Sequence, residues 1–193
     1  MIINNYNINN NEGIRNVVST FQLNQKINLK YLSNKIWNIE YNPLKFTSAI
    51  LRQRLPTQTT ALVFSSGRVV CTGAKSVLES KRAARAFARK IQKIVPGVKF
   101  TKFKVQNIVS SYSVGYHVNI HDFYYANLKR CKFEQENFPG LKLKLCNTDN
   151  TLKKNAIAII FYSGKFVLTG FTDEEEIDDK KNYLKRILLR YKK

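Results

Sequence analysis

Residues 61–75, ALVFSSGRVVCTGAK, return at 158–172 as AIIFYSGKFVLTGFT, with seven of fifteen positions identical and an offset of 97 residues. In a chain of 193 residues, an offset of that size describes one fold unit built twice. Each copy reads as a strand, a tight Ser-Gly turn, a second strand, and a glycine that releases the chain into a helix. Alternation sorts the first hairpin: Leu62, Phe64, Val70 and Thr72 share one side of the sheet, and Ala61, Val63, Val69 and Cys71 share the other. The second copy repeats the first set as Ile159, Phe161, Val167 and Thr169. Both sides are apolar, yet the helices that follow can cover only one. The uncovered side is an apolar floor, and a contiguous exposed apolar surface marks a place where something binds.

Charge narrows what that partner is. The 33 Lys and Arg outnumber the 13 Asp and Glu, for a formal net charge of +20. Between Gly13 and His121 the only carboxylates are Glu40 and Glu79, against 18 basic residues, whereas six carboxylates crowd residues 173–179. Such a field concentrates polyanions, nucleic acid first. A membrane surface is the second candidate, but neither an amphipathic anchor with exposed bulky residues nor an apolar run of spanning length accompanies the charge. At 44% hydrophobic residues the chain can bury a core. Cys71, Cys131 and Cys146 form neither a paired framework nor a CxxC, which suits a reducing compartment. The Asn-rich start has no secretory pattern and reads as a disordered leader over residues 1–13.

The rest of the chain repeats in order. Ile14–Leu23 alternates as a strand, with Asn16, Val18 and Thr20 on one face. Asn28 suits the N-cap of a helix over Leu29–Trp37, with Leu29, Leu32 and Ile36 as its apolar stripe. Tyr41-Asn42-Pro43 breaks the chain before a strand over Thr47–Arg54. Ser76-Val-Leu-Glu79 has capping-box spacing and opens a helix to about Ile94. That helix buries Ala84, Phe87, Ala88 and Ile91 and exposes Lys81, Arg82, Arg85, Arg89 and Lys93. Val98–Phe103 is one more strand. From Lys104 the order recurs: Val105–Ser111 answers the first strand, with Asn107 and Val109 in the places of Asn16 and Val18. Ile120–Lys129 is a weaker helix, Leu141–Leu145 a strand and Cys146–Lys154 a polar loop. Asp173 then caps a last helix whose Ile177, Leu184, Leu188 and Tyr191 point inward. No linker separates the copies. The expectation is an α+β fold of two pseudo-symmetric repeats, residues 14–102 and 103–193, sharing one continuous antiparallel sheet.

These runs resemble a known family. NVVSTFQLNQKINLKYL, EYNPLKF, TTALVFSSGRVVCTGAKS and ARKIQKI in the first copy, with FKVQNIVSS, NFPGL and IIFYSGKFVLTG in the second, are similar to the core of the TATA-box-binding protein family. The resemblance covers about residues 14–193. It implies a saddle, with a curved sheet whose concave face takes the DNA minor groove and helices on the convex face. It implies intercalating phenylalanines in two pairs, Phe46 with Phe64 and Phe138 with Phe161. The implied floor consists of Asn16, Val18, Leu62, Val70 and Thr72, then Asn107, Val109, Ile159, Val167 and Thr169. Phosphate contacts are implied for Lys45, Arg52, Ser66, Arg68 and Lys75, then Lys144, Ser163 and Lys165. The chemistry agrees, since an A·T minor groove offers only acceptors, which suits an amide donor and packed methyls. Aromatic wedges unstack base steps for about a few kcal/mol, offset by added contact, a pattern already described for this family.

The implied function is that of a promoter-recognition general transcription factor that binds and bends A·T-rich duplex DNA and nucleates initiation. The alternative is a related interaction platform without strong TATA preference. The implied partners are that DNA, factor-B-like and factor-A-like general transcription factors, and the RNA polymerase initiation machinery. Docking candidates are Glu134 and Glu136, before Phe138, and Lys81 and Lys93 on the basic helix face. The sequence departs from the family at Leu55, usually acidic, at Phe171-Thr172, usually Ala-Lys, and in the longer Cys146–Lys154 loop. No nucleophile elbow, phosphate loop or acid pair supports catalysis, a cofactor or a small-molecule substrate. His117 and His121 stand four apart with Cys131 further on, but no carboxylate or CxxC completes a metal set. Enrichment in Asn, Ile, Lys and Tyr points to an A·T-rich genome, of a protist or a large DNA virus, and so to a nucleus or a viral factory.

Overall fold

The computed structural model describes residues 12–146 and 152–193. Contacts divide them into two compact units: an N-terminal unit, Ile14–Val109 with Phe171–Glu174, and a C-terminal unit, residues 110–170 and 175–193 with Glu12 and Gly13. The N-terminal unit contains β1 (Gly13–Leu23), α1 (Leu29–Lys35), β2 (Ile39–Glu40), β3 (Ser48–Gln53), β4 (Thr59–Phe64), β5 (Arg68–Ala74), α2 (Val77–Gln92) and most of β6 (Phe100–Ser113). Its strands are ordered β2-β3-β4-β5-β1-β6. The C-terminal unit takes the end of β6, then α3 (Ile120–Ala126), β7 (Cys131–Lys132), β8 (Leu141–Cys146), β9 (Leu152–Ile160), β10 (Lys165–Phe171) and α4 (Glu174–Leu188). Its order, β6-β10-β9-β8-β7, is the same plan run a second time.

The repeated hairpin forms as its alternation predicts. Leu62 pairs with Val70 and Val63 with Val69, antiparallel. Gly67 closes the turn, its N–H donating to the Phe64 carbonyl at 2.9 Å. Its φ of +84° is a region that an L side chain rarely adopts, and a Cβ there would collide with the Gln25 carbonyl oxygen. On the covered side, Phe21, Ala49, Leu51, Ala61, Val63, Val69 and Cys71 meet Leu29 and Leu32 of α1 and Ala84, Phe87, Ala88 and Ile91 of α2. In the C-terminal unit Leu141, Leu143, Ala158, Ile160, Phe166 and Leu168 are buried, as are Phe123, Ile177, Leu184 and Leu188. Burial pushes the Cys71 thiol up to about 12 and that of Cys131 to about 11, so both stay protonated at neutral pH.

Several boundaries differ from the sequence reading, each for a local reason. Helix α1 stops at Lys35 because Ile36 is extended at φ −112°, ψ 113°, which leaves Trp37 95% exposed. Only half of the capping box forms. Ser76 Oγ accepts the Glu79 N–H at 3.1 Å, but the Glu79 carboxylate turns to the Thr57 hydroxyl and the Lys75 N–H. Those two hydrogen bonds, the Thr57 one foremost, hold its pKa below that of an ordinary glutamate. The strands expected at Val98–Phe103 and Val105–Ser111 are one, β6, in which Lys102 alone takes a positive φ, +51°. Contacts assign residues up to Val109 of this strand to the N-terminal unit and those from Ser110 to the C-terminal unit.

Of the expected leader, residues 1–11 lie outside the described residues. Gly13 begins β1, and Glu12 accepts the Ser113 N–H at 3.0 Å and pairs with Lys185 at 3.7 Å. Of the expected loop Cys146–Lys154, residues 147–151 also lie outside them, and β9 already begins at Leu152. Helix α3 ends at Ala126, where Asn127 folds its amide back onto the Phe123 carbonyl. Past α4 a 3-10 turn, Leu189–Tyr191, sets Tyr191 edge-on to Phe123 at 5.1 Å. Phe171, a departure from the family pattern, is fully buried, so its bulk is absorbed by the core. Among the described residues no helix is long and apolar enough to cross a membrane.

Candidate nucleic-acid interface

Each floor residue falls on the open side of its strand. Asn16, Val18, Leu62, Val70 and Thr72 are half-buried and alternate with buried Val17, Ser19, Ala61, Val63, Val69 and Cys71. Asn107 and Val109 on β6, and Ile159, Val167 and Thr169 on β9 and β10, show the same intermediate exposure. Because the side-chain period of a strand is two, packing one set beneath the helices leaves the other set facing out.

Asn16 is held in one orientation by a bulge. The β1–β5 register shifts between Val17 and Ser19, Val17 pairing with Ala74 and Ser19 with Cys71. Across that shift the Gly73 N–H donates to Asn16 Oδ1 at 2.7 Å, and the Thr72 hydroxyl donates to it at 3.0 Å. A backbone N–H can only donate, so the atom facing it must be the amide oxygen, and Nδ2 is left as the donor. Gly73 has φ +104°, and a Cβ there would lie 2.6 Å from the Gln58 carbonyl oxygen, so glycine is required for this geometry. An amide donor set in an apolar floor matches acceptors and mismatches donors.

The four candidate wedges are not arranged alike. The Phe138 and Phe161 rings meet edge to face, with centroids 5.9 Å apart and planes at 66°. Phe138 is 37% exposed and Phe46 47%. Ring contacts among the described residues do not include Phe46 with Phe64, so the structure brings one of the two expected pairs together. A reason lies on the neighbouring strands. Ser48 pairs with Phe64 on β4, and Gly140, just before β8, holds the matching place in the second copy. A Cβ at Gly140 would lie 2.5 Å from Phe138 Cε1, 2.7 Å from Ile159 Cγ2 and 3.0 Å from Phe161 Cε1. The missing side chain makes room for the ring pair, whereas Ser48 fills that room and buries a hydroxyl with no hydrogen-bond partner.

The phosphate candidates of both units are solvent-accessible. Lys45, Ser66, Arg68, Lys75, Lys144, Ser163 and Lys165 are exposed. Arg52 is exposed too, but its guanidinium is paired with Glu40 of β2 at 2.6 Å, so it is a tethered cation. The residues ahead of Phe46 and Phe138 form equivalent turns. The Lys45 and Phe46 N–H groups donate to the Asn42 carbonyl, as those of Asn137 and Phe138 do to that of Glu134. Glu134, Gln135, Glu136 and Asn137 line a shallow exposed groove, and Lys81 and Lys93 stand exposed on and just beyond α2.

His117 stacks on Tyr162 at 4.8 Å and His121 lies edge-on to Phe133 at 5.3 Å. Among the described residues no three His, Cys, Asp or Glu side chains are grouped to hold a metal ion. Sequence reasoning missed Gly140, which holds the ring pair open, the Glu40 tether on Arg52, and Lys142. The alternation in LKLKL, residues 141–145, was the available signal for Lys142.

The chain matches the family model described as "Transcription factor TFIID (or TATA-binding protein, TBP)" over residues 12–94 and 102–191. It is 42% identical over 180 residues to a TATA-box-binding protein of Acanthamoeba castellanii, spanning 93% of this chain and 67% of that one. With a TATA-box-binding protein of Acetabularia peniculus the identity is 43% over 164 residues, 85% of this chain and 82% of that one. Among solved structures, the Methanococcus jannaschii TBP aligns with a TM-score of 0.73 at 32% identity, covering 92% of this chain and 96% of that chain.

Proposed function

The chain belongs to the TATA-binding protein family, a family of transcription factors and not of enzymes, and from that premise we propose that it recognises promoters by binding the minor groove of A·T-rich DNA and bending it. The observation that carries this reading is the open apolar strand side found in each unit, with the Asn16 amide held as a donor in the N-terminal unit and the Phe138–Phe161 ring pair formed in the C-terminal unit. Adenine N3 and thymine O2 are acceptors, so they accept from Asn16 Nδ2 and lie against the methyls of Val18, Leu62 and Val70. A guanine amino group there puts a donor against a donor and a polar atom against methyls. Phe138 and Phe161 enter a base step by partly unstacking it, and the resulting bend brings more of the exposed basic residues onto phosphates.

In this reading Phe46 and Phe64 form the second wedge only on engaging DNA, since the free protein does not hold their rings together. The acidic turn with Glu134 and Glu136 receives a factor-B-like protein, and the basic face around Lys81 and Lys93 is open to a factor-A-like protein or another part of the initiation machinery. The site of action is a nucleus or a viral factory.

The test pairs a gel-shift series on TATA-type and G·C-substituted duplexes with energy transfer between labelled DNA ends. The wild type should prefer the TATA duplex and bend it. The double variant Phe138→Ala, Phe161→Ala should melt as the wild type does, while its affinity and bend angle fall together. Equal binding of both duplexes would instead support a platform without TATA preference. A folded double variant that bends DNA as before would remove the wedge assignment.

A further inference from the structure

Strand β8 alternates Leu141, Leu143 and Leu145, all buried, with Lys142 and Lys144, both exposed. Lys144 is already among the phosphate candidates, and Lys142 lies two residues before it on the same side of the strand. It pairs with Ile159, a floor residue, and its Nζ lies 5.5 Å from the centroid of the Phe138 ring. In the N-terminal unit the same register position is Ile50, half-buried opposite Leu62. One copy of the face therefore places an aliphatic side chain where the other places a cation. Among the described residues no carboxylate is paired with Lys142, and the ring beneath it is a weak partner for an exposed ammonium. An ammonium that becomes covered without an anion loses its hydration with nothing in return.

We propose that Lys142 is a DNA contact of the C-terminal unit, donating to a backbone phosphate oxygen beside the base step that Phe138 and Phe161 enter. This rests on the minor-groove reading above and deepens it. The ring holds the ammonium at the wedge while the protein is free. When Phe138 leaves for the base step, the charge is already next to the backbone that the kink displaces. Since Ile50 cannot make this contact, the two repeats meet DNA with unequal chemistry.

The experiment compares the wild type with Lys142→Ile, which copies the first repeat, and Lys142→Met, which keeps an unbranched stem. Affinity for one A·T-rich duplex is measured from 50 to 200 mM salt. Neutralising one phosphate fewer should make the log–log slope shallower by about 0.9 in both variants, so that the wild type loses about 3.5-fold more affinity than either across that range. A duplex carrying neutral methylphosphonates beside the kinked step should weaken the wild type and leave both variants unchanged. A base-edge contact would leave the wild type indifferent to that duplex and would overturn the phosphate assignment. Unchanged slopes in variants that melt normally would overturn the proposal while the minor-groove reading stands. Failure of the wild type to bind duplex DNA would remove both.

Discussion

Gly140→Ala adds a single methyl where the structure has least room for one. Gly140 is not among the residues with positive φ, so its backbone accepts alanine, and the substitution alone would stabilise the fold by about 0.4–1 kcal/mol through the unfolded chain. Against this, the new Cβ would lie 2.5 Å from Phe138 Cε1 and 2.7 Å from Ile159 Cγ2, roughly 1 Å inside ordinary contact. If the rings stayed in place, such overpacking would cost about 1–3 kcal/mol. Phe138, however, is 37% exposed and can turn outward. The clash with that ring is then relieved at the loss of the edge-to-face pair, worth about 0.5–1.5 kcal/mol, while the 2.7 Å approach to Ile159 Cγ2 remains and must be absorbed by a small shift of that side chain. The expected result is a melting temperature at or modestly below wild type, loss of the ring-to-ring proton contacts between Phe138 and Phe161 in NMR spectra, and DNA binding weakened about two- to tenfold with a smaller bend. Retention of those ring contacts together with unchanged affinity and bend would refute the argument that Gly140 sets the wedge geometry. The reciprocal change, Ser48→Gly, should let the Phe46 ring approach Phe64.

Other consequences can be measured separately. If six to eight phosphates are neutralised, the log–log salt slope should lie at about −5 to −7, and a slope near zero on duplex DNA would exclude the nucleic-acid reading. Asn16→Asp keeps an oxygen for the Gly73 N–H and the Thr72 hydroxyl but replaces the amide donor with a charged acceptor, so it should melt near wild type and bind A·T-rich DNA at least about tenfold more weakly; full binding would mean that Nδ2 does not face the bases. Glu134→Arg with Glu136→Arg should abolish ternary complex formation with a factor-B-like protein and leave DNA binding intact, as read by gel supershift; a normal supershift would disprove that docking site. Because the Glu79 pKa is held below the ordinary glutamate value, its contribution to stability is present above that ordinary value and is lost as pH falls through the lowered one. The melting difference between wild type and Glu79→Gln should therefore narrow as pH falls from neutral through the carboxylate range, and a constant difference would show that the charge on Glu79 is immaterial.

The two-fold repeat, the strand alternation and the assignment of Leu62, Phe64, Val70 and Thr72 to the open face were legible in the chain itself. Each depends on a period of two along a strand or on self-similarity at one offset, and both are properties of nearby residues. The family followed from the same runs. What no local pattern contains is who meets whom across distance in sequence. The Asn16 amide is oriented by Thr72 and Gly73, 56 and 57 residues away, through a bulge whose position depends on how two strands align. Phe138 and Phe161 touch because a glycine lies beside them, while Ser48 occupies the equivalent space beside Phe64. Arg52 reads as a free cation until Glu40 is found on the adjacent strand. Lys142 reads as one more surface lysine until its register sets it against Ile159 and the Phe138 ring. Sequence determined which residues face outward, because facing outward is a matter of parity. Only tertiary structure decided what each of them can do, because hydrogen-bond partners, ring contacts and ion pairs are made between strands that the chain itself keeps far apart.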